Sequence, residues 1–445
     1  MKEFAIKKCI NPICGKSFNI MSARYSCSCN SLLDVTYLVT PKRELIETFY
    51  ARRNHGGNIF NESGVWRFRE LLNFLGIDTE SFEQCANGLV SLDGAEGRLS
   101  KPYRMSRVAE YVGLNHECLL LQPEGYNPSG SFKDNGMSTA ITHAKAMGVS
   151  KIICASTGNT SASAAMYAAN EDMKCEVYIP KGEIAAGKLG QAFQFGAQVI
   201  QVDGNFDDAL ERSLSKVNQR DGYTVNSVNP FRLEGQKTIV YRILEQLGWK
   251  APDWLVYPGG ALGNTASCGK CLIELFEWGW IDKVPRIVVV NSTGANTFYE
   301  LVNGKFEDNK LIWNGGNFDR RLVERYYDLR DKQGKYPKTK ATAVQIGKPP
   351  NLAKALRAIE FTNGLVLQVD DNEMSHGMAV VGLNGFDCEM ASGAVPAGIK
   401  LLREQEIIRK DDVTVGVLTG RQKDPALVIE YHLNSSNTFA RPPTY

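Results

Sequence analysis

The sequence predicts an α/β protein in which helices cover mostly parallel sheets. Between residues 95 and 300, short apolar runs alternate with stretches in which apolar residues recur at helical spacing. The strand-like runs are residues 152–155, 176–179, 199–202, 254–257 and 287–290, and the helical stretches include residues 206–218 and 238–247. This alternation favours parallel strands that are joined by crossover helices.

Lys133 stands in a polar turn between an apolar run and a helix. The turn reads Asn-Pro-Ser-Gly-Ser-Phe-Lys-Asp over residues 127–134 and follows three leucines at 119–121. A helix is predicted next, because apolar residues recur at helical spacing as Met137, Ala140, Ile141 and Ala144. A lone lysine in such a turn is ordinarily a solvated surface residue. An amine among small residues at a helix start also suits a covalent bond to an aldehyde cofactor, because partial burial helps it to lose its proton near neutral pH.

Two further turns join an apolar strand to a helix and carry groups that bind anions. The first follows residues 152–155, precedes a helix predicted over 164–169, and contains Ser156, Thr157, Asn159 and Thr160. Its hydroxyl, amide and backbone N–H groups form a receptor for a carboxylate. The second opens a helix predicted over 266–278 and contains Gly259, Gly260, Ala261, Leu262, Gly263 and Asn264. Such a glycine-rich turn can close on a phosphate, although glycine turns are common in α/β folds and this one lacks the Gly-Lys-Ser/Thr of a P-loop.

Together, these three turns resemble those of the fold-type II family of pyridoxal phosphate (PLP) enzymes. Within that family, the chain is similar to the threonine synthases from about residue 60 to residue 428. Four more segments carry the likeness: Gly-Val-Trp-Arg-Phe-Arg-Glu at 64–70, Asn-Ser-Val-Asn-Pro-Phe-Arg-Leu-Glu-Gly-Gln-Lys-Thr at 226–238, Ala-Val-Gln-Ile-Gly at 343–347, and Leu-Thr-Gly through Lys-Asp-Pro at 418–425. The segment at 226–238 separates threonine synthases from the dehydratases that share their fold.

The resemblance implies a fold-type II architecture, like that of tryptophan synthase β. Two α/β domains with mostly parallel sheets would hold the cofactor in the cleft between them, after a small N-terminal zinc-ribbon-like segment. The expected parts are that segment at 1–40, a large PLP-binding domain at 41–145 and 235–430, a small α/β domain at 146–234, and a tail at 431–445. The charged, turn-rich residues 315–340 are expected to form an exposed excursion, and the chain after residue 434 to be irregular.

The resemblance also implies how the cofactor is held. Lys133 would bind PLP as a Schiff base and, once released, would move protons during catalysis. Asn159 would contact the 3′-oxygen of the cofactor ring, and the N–H groups of residues 259–264 would bind the cofactor phosphate. Thr419 would give its hydroxyl to the pyridine nitrogen. A hydroxyl partner leaves that nitrogen largely unprotonated, whereas an aspartate would hold it charged.

The implied substrate is O-phospho-L-homoserine. Its carboxylate would be bound by Ser156, Thr157 and Thr160. Its phosphate would be received by Asn226, Ser227 and Arg232. A guanidinium suits this task because its planar fork matches two phosphate oxygens. The implied reaction is γ-elimination of phosphate followed by addition of water at Cβ, which gives L-threonine, and the resemblance implies a homodimer.

Two departures from the family pattern leave other activities open. Ala261 stands where the family usually has asparagine, and Gly-Arg-Gln-Lys at 420–423 replaces the usual Gly-His-Gly-Leu-Lys, which adds positive charge close to Thr419. The alternatives are a threonine or serine dehydratase, or a threonine synthase-like paralogue that uses another phosphorylated or β-substituted amino acid. A binding protein without catalysis would lack the visible absorbance of a lysine-bound cofactor.

Four cysteines near the N-terminus suggest a metal site: Cys9, Cys14, Cys27 and Cys29. Two close pairs are typical of a zinc ribbon, and some threonine synthases carry one. The spacing is unusual, however, because the first pair encloses four residues and the second only one, which strains tetrahedral ligation. Zinc and a ribbon-shaped remnant without metal are therefore both open. Cys268 and Cys271, one helical turn apart, are expected to pack in the core.

Bulk properties exclude several classes of protein. With 51 basic and 49 acidic residues, the net charge of +2 gives no electrostatic basis for binding nucleic acid or a membrane surface. The apolar runs are far shorter than the roughly 20 residues that a membrane span needs. No secretory signal follows Met1. Eleven scattered cysteines indicate free thiols in a reducing compartment, so the expected location is cytoplasmic.

Overall fold

The computed structural model describes residues 4–55, 57–77, 89–182, 186–218, 222–304, 313–314 and 317–433. The strands are β1 Ala5–Cys9, β2 Ser17–Asn19, β3 Leu33–Tyr37, β4 Tyr103–Arg104, β5 Leu119–Pro123, β6 Lys151–Ala155, β7 Lys174–Pro180, β8 Gln198–Val202, β9 Tyr223–Thr224, β10 Trp254–Pro258, β11 Arg286–Ser292, β12 Trp313–Asn314, β13 Asn317–Phe318, β14 Leu365–Val369 and β15 Thr414–Leu418.

The α-helices are α1 Leu45–His55, α2 Ile59–Glu62, α3 Ser106–Val112, α4 Lys133–Ala146, α5 Asn159–Asn170, α6 Ala186–Gln194, α7 Phe206–Asn218, α8 Pro230–Gln236, α9 Thr238–Gln246, α10 Gly263–Glu277, α11 Thr297–Asn303, α12 Arg320–Lys332, α13 Leu352–Phe361, α14 Asp371–Gly382, α15 Met390–Glu404 and α16 Pro425–Leu433. Short 3₁₀ helices lie at Trp66–Leu72, Glu124–Tyr126 and Thr342–Val344. Among the described residues, every helix is too short or too polar to cross a membrane.

The chain forms two compact units. The first comprises residues 1–100, 127–245 and 270–282, and the second comprises residues 101–126, 246–269 and 283–445. The domain boundaries expected from the sequence differ from this division and remain a prediction. They are 1–40, 41–145 with 235–430, and 146–234.

The first unit contains a parallel sheet of four strands in the order β8-β7-β6-β9. A separate antiparallel sheet, in the order β2-β1-β3, is built from the N-terminal residues. The apolar side chains of β6 and β7 pack against α7 in a core that includes Ile153, Ala155, Tyr178, Ala209 and Val217. Burying these faces is the main favourable term for this layer.

The second unit is built on a six-stranded sheet in the order β14-β11-β10-β15-β5-β4. Its strands are parallel apart from β4, which pairs antiparallel with β5 at the edge. The central strands β10 and β15 are buried along their whole length. This explains why they are continuously apolar, since parallel strands are covered on both faces.

The sequence-based strands are confirmed, but three helix predictions needed correction. Helix α5 begins at Asn159, not at residue 164, and α10 begins at Gly263, not at residue 266. The polar turn residues therefore form the first turn of each helix. Residues 315–340 are not simply turn-rich, because they contain α12, whose N-cap Asp319 accepts from the Leu322 N–H. Of the predicted tail, the part after residue 433 lies outside the described residues.

Candidate cofactor and substrate site

The turn before Lys133 is held by a buried carboxylate in the first unit. Asp134 accepts hydrogen bonds from the backbone N–H of Ser129 at 2.7 Å and from its hydroxyl at 2.5 Å. Gly130 has φ +84, a left-handed conformation that few other residues adopt without strain. These contacts fix the backbone of the turn that leads into α4 and Lys133.

Lys133 is the first residue of α4 and is half-buried. Its Nζ lies 3.6 Å from the centroid of the Phe132 ring. The neighbouring side chain of Asn135 donates to the Phe132 carbonyl at 3.0 Å, which ties the turn to the helix. The partial burial of this amine agrees with the sequence analysis, whereas the neighbouring aromatic ring was not expected from it.

The Ser156, Thr157, Asn159 and Thr160 set lies at the N-terminus of α5. All four residues are half-buried, and the Gly158 N–H donates to the Ser156 hydroxyl at 3.1 Å. The first N–H groups of a helix lack intrahelical partners and favour an anion. With threonine hydroxyls beside them, these N–H groups can bind a carboxylate, which is the role that the sequence predicted for this set.

The three residues predicted to receive the substrate phosphate are near one another in sequence but differ in their surroundings. The Asn226 amide accepts from the Ala155 N–H and donates to the Ala155 carbonyl, each at 2.9 Å. It thereby fastens the end of β6 to the chain after β9. Ser227 is half-buried and lies between this anchor and the start of α8. The Asn226 side chain therefore holds the backbone that carries Ser227 and Arg232.

Arg232 lies wholly inside the first unit. It is 1% exposed, and among the described residues its guanidinium donates to the Val225 carbonyl at 2.5 Å while its Nε has no partner. A Cβ at Gly136, one turn after Lys133, would lie 2.9 Å from that Nε. Burial lowers the pKa of the Arg232 guanidinium to about 10. Arg232 is thus a buried positive charge that packs against the helix that begins with Lys133. The sequence did not indicate that this arginine would be buried.

The glycine-rich turn of the second unit runs between β10 and α10. The Asn291 side chain donates to the Gly259 carbonyl at 2.8 Å, and an added Cβ at Gly259 would meet its Nδ2 at 2.5 Å. Leu262 has φ +61, an uncommon conformation for a residue other than glycine. The Gly259 N–H donates to the Val290 carbonyl at 2.8 Å. This N–H was predicted to bind the phosphate, but it is already used in a hydrogen bond with the sheet. The donors that remain belong to Gly260, Ala261, Leu262, Gly263 and Asn264.

Two buried polar atoms in the first turn of α10 lack hydrogen-bond partners within the part of the chain that the structure describes. They are Oδ1 of Asn264 and Oγ1 of Thr265, in residues that are 5% and 0% exposed. An unpaired buried polar atom is costly, and a phosphate on this helix N-terminus would be a partner for the Thr265 hydroxyl. The residues present therefore fit a phosphorylated cofactor. Thr265 and Asn291 were missed by the sequence reasoning, although a hydroxyl in the turn after a glycine loop was a signal for the first of them.

Thr419 directly follows β15, at the same sheet edge as the glycine-rich turn. Strands β10 and β15 are parallel neighbours, paired from Trp254 with Thr414 to Val256 with Gly416, so the residues that follow them lie at the same edge of the sheet. Thr419 is 5% exposed, and its hydroxyl donates to Oε1 of Glu389 at 3.1 Å. In this unit, the predicted phosphate turn and the predicted ring partner therefore lie at the same edge of the sheet.

The four N-terminal cysteines converge. The Sγ atoms of Cys9, Cys14, Cys27 and Cys29 all lie within 4.8 Å of one another, with the Cys9–Cys29 pair at 3.5 Å and the Cys14–Cys27 pair at 3.6 Å. Sulfurs about 2.3 Å from a tetrahedral zinc ion would be roughly 3.8 Å apart. The donor set fits zinc despite the one-residue gap, because Gly15 and Asn30 turn the chain in left-handed conformations after each pair. The other predicted pair, Cys268 and Cys271, is buried, as expected for core residues.

Comparison with known proteins identifies the class. Residues 100–420 match the family described as "Pyridoxal-phosphate dependent enzyme". Solved structures of the same fold include threonine deaminase isoform 2 from Solanum lycopersicum, with a TM-score of 0.58 and 17% identity over 80% of this chain and 88% of that one. Serine racemase from Dictyostelium discoideum has a TM-score of 0.55 and 18% identity over 78% and 97%. The chain belongs to the pyridoxal phosphate-dependent enzymes of fold type II.

More similar relatives narrow the assignment. The chain is 36% identical to the threonine synthase of Methanocaldococcus jannaschii over 95% of its own length and 94% of the relative's. It is 39% identical to the threonine synthase of Synechocystis over 74% and 77% of the two lengths. Within the PLP-dependent class, the chain is a member of the threonine synthase family.

Proposed function

We propose that this protein converts O-phospho-L-homoserine and water into L-threonine and phosphate. Near-full-length similarity to threonine synthases supports the reaction. The observation that supports the substrate assignment is Arg232, a buried positive charge packed against the helix of Lys133. Among the described residues it has no ion pair within 4 Å, and the Asp134 carboxylate acts on it only from a greater distance. A buried cation is costly unless an anion compensates it. The phosphate of the substrate would do so.

The cofactor, PLP, supplies an electron sink when it is bound. In our proposal Lys133 holds it covalently and afterwards, as the released amine, takes and returns protons at Cα and Cβ of the substrate. Asn159 contacts the ring oxygen, and the N–H groups from Gly260 to Asn264 hold the cofactor phosphate with the Thr265 hydroxyl. Thr419 faces the ring nitrogen.

Substrate binding divides between two anion receptors in the first unit. The first turn of α5, with Ser156, Thr157 and Thr160, orients the carboxylate. Ser227 donates a hydrogen bond to the substrate phosphate, and the buried positive charge of Arg232 attracts the phosphate electrostatically. Asn226 holds this receptor to the end of β6. An unphosphorylated hydroxy amino acid would leave the Arg232 charge without an anion in direct contact, which disfavours dehydratase activity.

The test is incubation with O-phospho-L-homoserine and measurement of phosphate and threonine together. We expect equal amounts of both, and no such products from Lys133→Ala, which should also lose the visible absorbance of the lysine-bound cofactor. Lys145→Ala is the matched control, since Lys145 is an exposed lysine of the same helix. Ammonia and a keto acid from L-threonine or L-serine would instead indicate a dehydratase. Phosphate release from a different substrate would indicate a paralogue.

We also propose that Cys9, Cys14, Cys27 and Cys29 bind one structural zinc ion. Four thiolates would close the coordination sphere, which is typical of structural and not catalytic zinc. Metal analysis of purified protein should find zinc in wild type and in Cys118→Ser, and none when all four cysteines are changed to serine. Wild-type protein without zinc, purified from zinc-supplemented medium, would identify a metal-free remnant.

A cytoplasmic location and a homodimer complete the proposal. The ten cysteines among the described residues are free thiols, which suits a reducing compartment. The homodimer rests on resemblance to the family alone, and measurement of the mass in solution tests it.

A further inference from the structure

The two anion receptors proposed for the substrate lie on helices that share one neighbour in the first unit. The carboxylate receptor is the first turn of α5, and Arg232 of the phosphate receptor lies on α8. Helix α4 packs against both of these helices. The Asn226 amide, which pairs with both backbone groups of Ala155, ties the Ser227 end of the phosphate receptor to the chain before α5. The backbone of Arg232 is placed by the packing of α8 against α4.

Helices α4 and α8 meet at two glycines. A Cβ added to Gly136 would lie 2.4 Å from the Arg232 carbonyl oxygen, and one added to Gly235 would lie 2.0 Å from the Asn135 carbonyl oxygen. Non-bonded carbon atoms attract best at about 3.5–4.0 Å, so neither position has room for a side chain. Because the two backbones are already in contact at these points, α8 cannot move closer to α4.

Thr139 resists movement of α8 in the other direction. Its buried hydroxyl lies 2.8 Å from the Phe231 carbonyl oxygen and 3.1 Å from the Gly136 carbonyl oxygen. A hydroxyl has one proton, and the shorter distance assigns it to Phe231, the residue directly before Arg232. The Phe231 ring also stacks on His143 of α4, so this residue is held at its ring and at its carbonyl. The Thr139 hydroxyl is thus a directional link from α4 to the backbone that carries Arg232.

We propose that Thr139 is a positioning residue that, together with Gly136 and Gly235, selects the chain length of the phosphorylated substrate. The inference rests on the proposed roles of Arg232 and of the first turn of α5. A shorter chain would need α8 closer to α4, which the glycine contacts prevent. A longer chain would need α8 farther away, which breaks the hydrogen bond from Thr139 to the Phe231 carbonyl. Removal of the hydroxyl should therefore improve the binding of longer chains alone.

The experiment is calorimetric titration of the PLP-loaded protein with L-amino acids that end in a phosphonate. Two, three or four methylene groups separate Cα from phosphorus, and the three-methylene compound has the chain length of O-phospho-L-homoserine. The carbon–phosphorus bond prevents loss of phosphate, so binding is measured without turnover.

We expect wild type to bind the three-methylene compound most tightly. In Thr139→Val, the affinity for the four-methylene compound relative to the three-methylene one should rise about 2- to 12-fold, the range that corresponds to one hydrogen bond. The relative affinity for the two-methylene compound should stay as in wild type, because the glycine contacts are unchanged.

Two variants serve as controls. Thr139→Ser keeps the hydroxyl and should restore the wild-type ratios. Thr142 is a buried threonine of the same helix, and its hydroxyl donates to the Ser138 carbonyl and accepts from the Val90 N–H, each at 2.9 Å. Thr142→Val should therefore lower the melting temperature without changing the ratios.

The outcomes separate this inference from the proposed function. Equal affinity of wild type for the three- and four-methylene compounds overturns it, even if Thr139→Val does not fold. Wild-type ratios in a folded but less stable Thr139→Val would show that Thr139 has only a structural role, and the proposed reaction would stand. A rise for the two-methylene compound as well would indicate general loosening and also overturn the inference. Wild type that binds none of the three compounds would overturn the proposed substrate receptors, and this inference with them.

Discussion

The glycine-rich turn at 259–264 has its present conformation because Gly259 has no side chain. An added Cβ would lie 2.5 Å from Nδ2 of Asn291 and 2.7 Å from Cγ1 of Val289. Both neighbours are buried, and the Asn291 amide is engaged by the Gly259 carbonyl and the Tyr299 N–H. The turn therefore cannot accept a methyl group without moving.

We predict that Gly259→Ala weakens PLP binding about 5- to 150-fold. Overpacking of this kind costs about 1–3 kcal/mol, and here the displaced atoms belong to the turn that would bind the phosphate. Titration of the apoprotein with PLP measures the change. Gly382→Ala is the control, since no atom lies within 4 Å of its added Cβ. Equal PLP affinity in wild type and Gly259→Ala would show that the turn adapts.

Arg232 allows a test of charge against packing. We predict that Arg232→Met, which keeps much of the volume, lowers kcat/KM for O-phospho-L-homoserine about 30- to 1,000-fold, the equivalent of about 2–4 kcal/mol of charge-assisted binding. Arg232→Lys should lose less, because it keeps the positive charge but not the guanidinium fork. PLP affinity, measured on the same preparations, should change little in either variant.

The opposite pattern would identify Arg232 as a structural residue. If PLP affinity, thermal stability and kcat/KM fell together in both variants, the guanidinium would be needed only for its hydrogen bond to the Val225 carbonyl. The substrate phosphate would then depend on Ser227 and on other donors.

The helices and strands show which parts of the fold the sequence could predict. Strands such as β10 and β11 were predicted correctly because continuous apolar runs of this length, bounded by turns, are typical of buried parallel strands. The starts of α5 and α10 were placed too late, because serine, threonine, asparagine and glycine have low helix propensity. In both helices these residues form the first turn, whose backbone N–H groups lack intrahelical partners.

Side-chain partners at the candidate site were harder to predict. The sequence identified Thr419 and Asn226, but no pattern in it indicated that Glu389, 30 residues before Thr419, would accept its proton, or that Ala155 would engage the Asn226 amide. Such contacts depend on tertiary geometry, which residue spacing along one chain does not encode. Helix α12 was not predicted because most of its residues are charged, and the two buried ones, Val323 and Tyr326, are too few to give a clear helical pattern of apolar residues.

Helix α4 is linked to the N-terminal sheet through a buried histidine. The Ile20 carbonyl accepts from His143 Nε2 at 3.0 Å, so Nδ1 accepts from the Tyr223 hydroxyl at 2.8 Å, and the Phe231 ring stacks on the imidazole. Burial lowers the pKa of His143 to about 3, and the charge of Lys7 contributes to the shift. The folded protein therefore holds this imidazole neutral.

This histidine makes stability depend on pH in a defined direction. The folded pKa lies below the unfolded value of about 6.5, so below pH 6.5 the unfolded chain binds the proton first and the free energy of unfolding decreases. The decrease continues, by up to about 1.4 kcal/mol per pH unit, until pH falls to about 3. Between pH 7 and pH 5, wild type should lose about 2 kcal/mol more than His143→Gln in urea unfolding. His116→Gln, at an exposed position, should behave as wild type. An identical loss in His143→Gln would contradict the assignment.

On the scale of the whole molecule, a buried charge network joins distant parts of the first unit. Lys237 Nζ lies 2.6 Å from Glu234 Oε2 and 2.7 Å from Glu274 Oε2, and Lys270 Nζ lies 2.8 Å from Glu234 Oε1. The Tyr37 hydroxyl donates to Glu234 at 2.6 Å. Strand β3, the junction of α8 with α9, and α10 thus meet at two positive and two negative charges. Residue patterns did not predict this network, since lysine and glutamate ordinarily lie on the surface.

The network predicts a large and specific effect of removing one charge. Burial alone would lower the pKa of Lys237, but Glu234 and Glu274 raise it above the ordinary value, so this lysine is charged in the folded protein. Lys237→Met leaves an uncompensated buried carboxylate and should lower the free energy of unfolding by about 3–5 kcal/mol. Lys181→Met, which breaks an exposed pair with Asp203, should cost less than about 1 kcal/mol. Urea unfolding of the PLP-loaded protein measures both.

A double variant shows whether the loss in Lys237→Met comes from charge. Adding Glu274→Gln to Lys237→Met leaves Glu234 paired with Lys270, one charge of each sign, so part of the lost stability should return. Glu274→Gln alone should destabilise the protein, because it leaves a surplus of positive charge. If the two losses simply add in the double variant, the network stabilises the unit through packing, and the balance of buried charges is not what holds β3, α8 and α10 together.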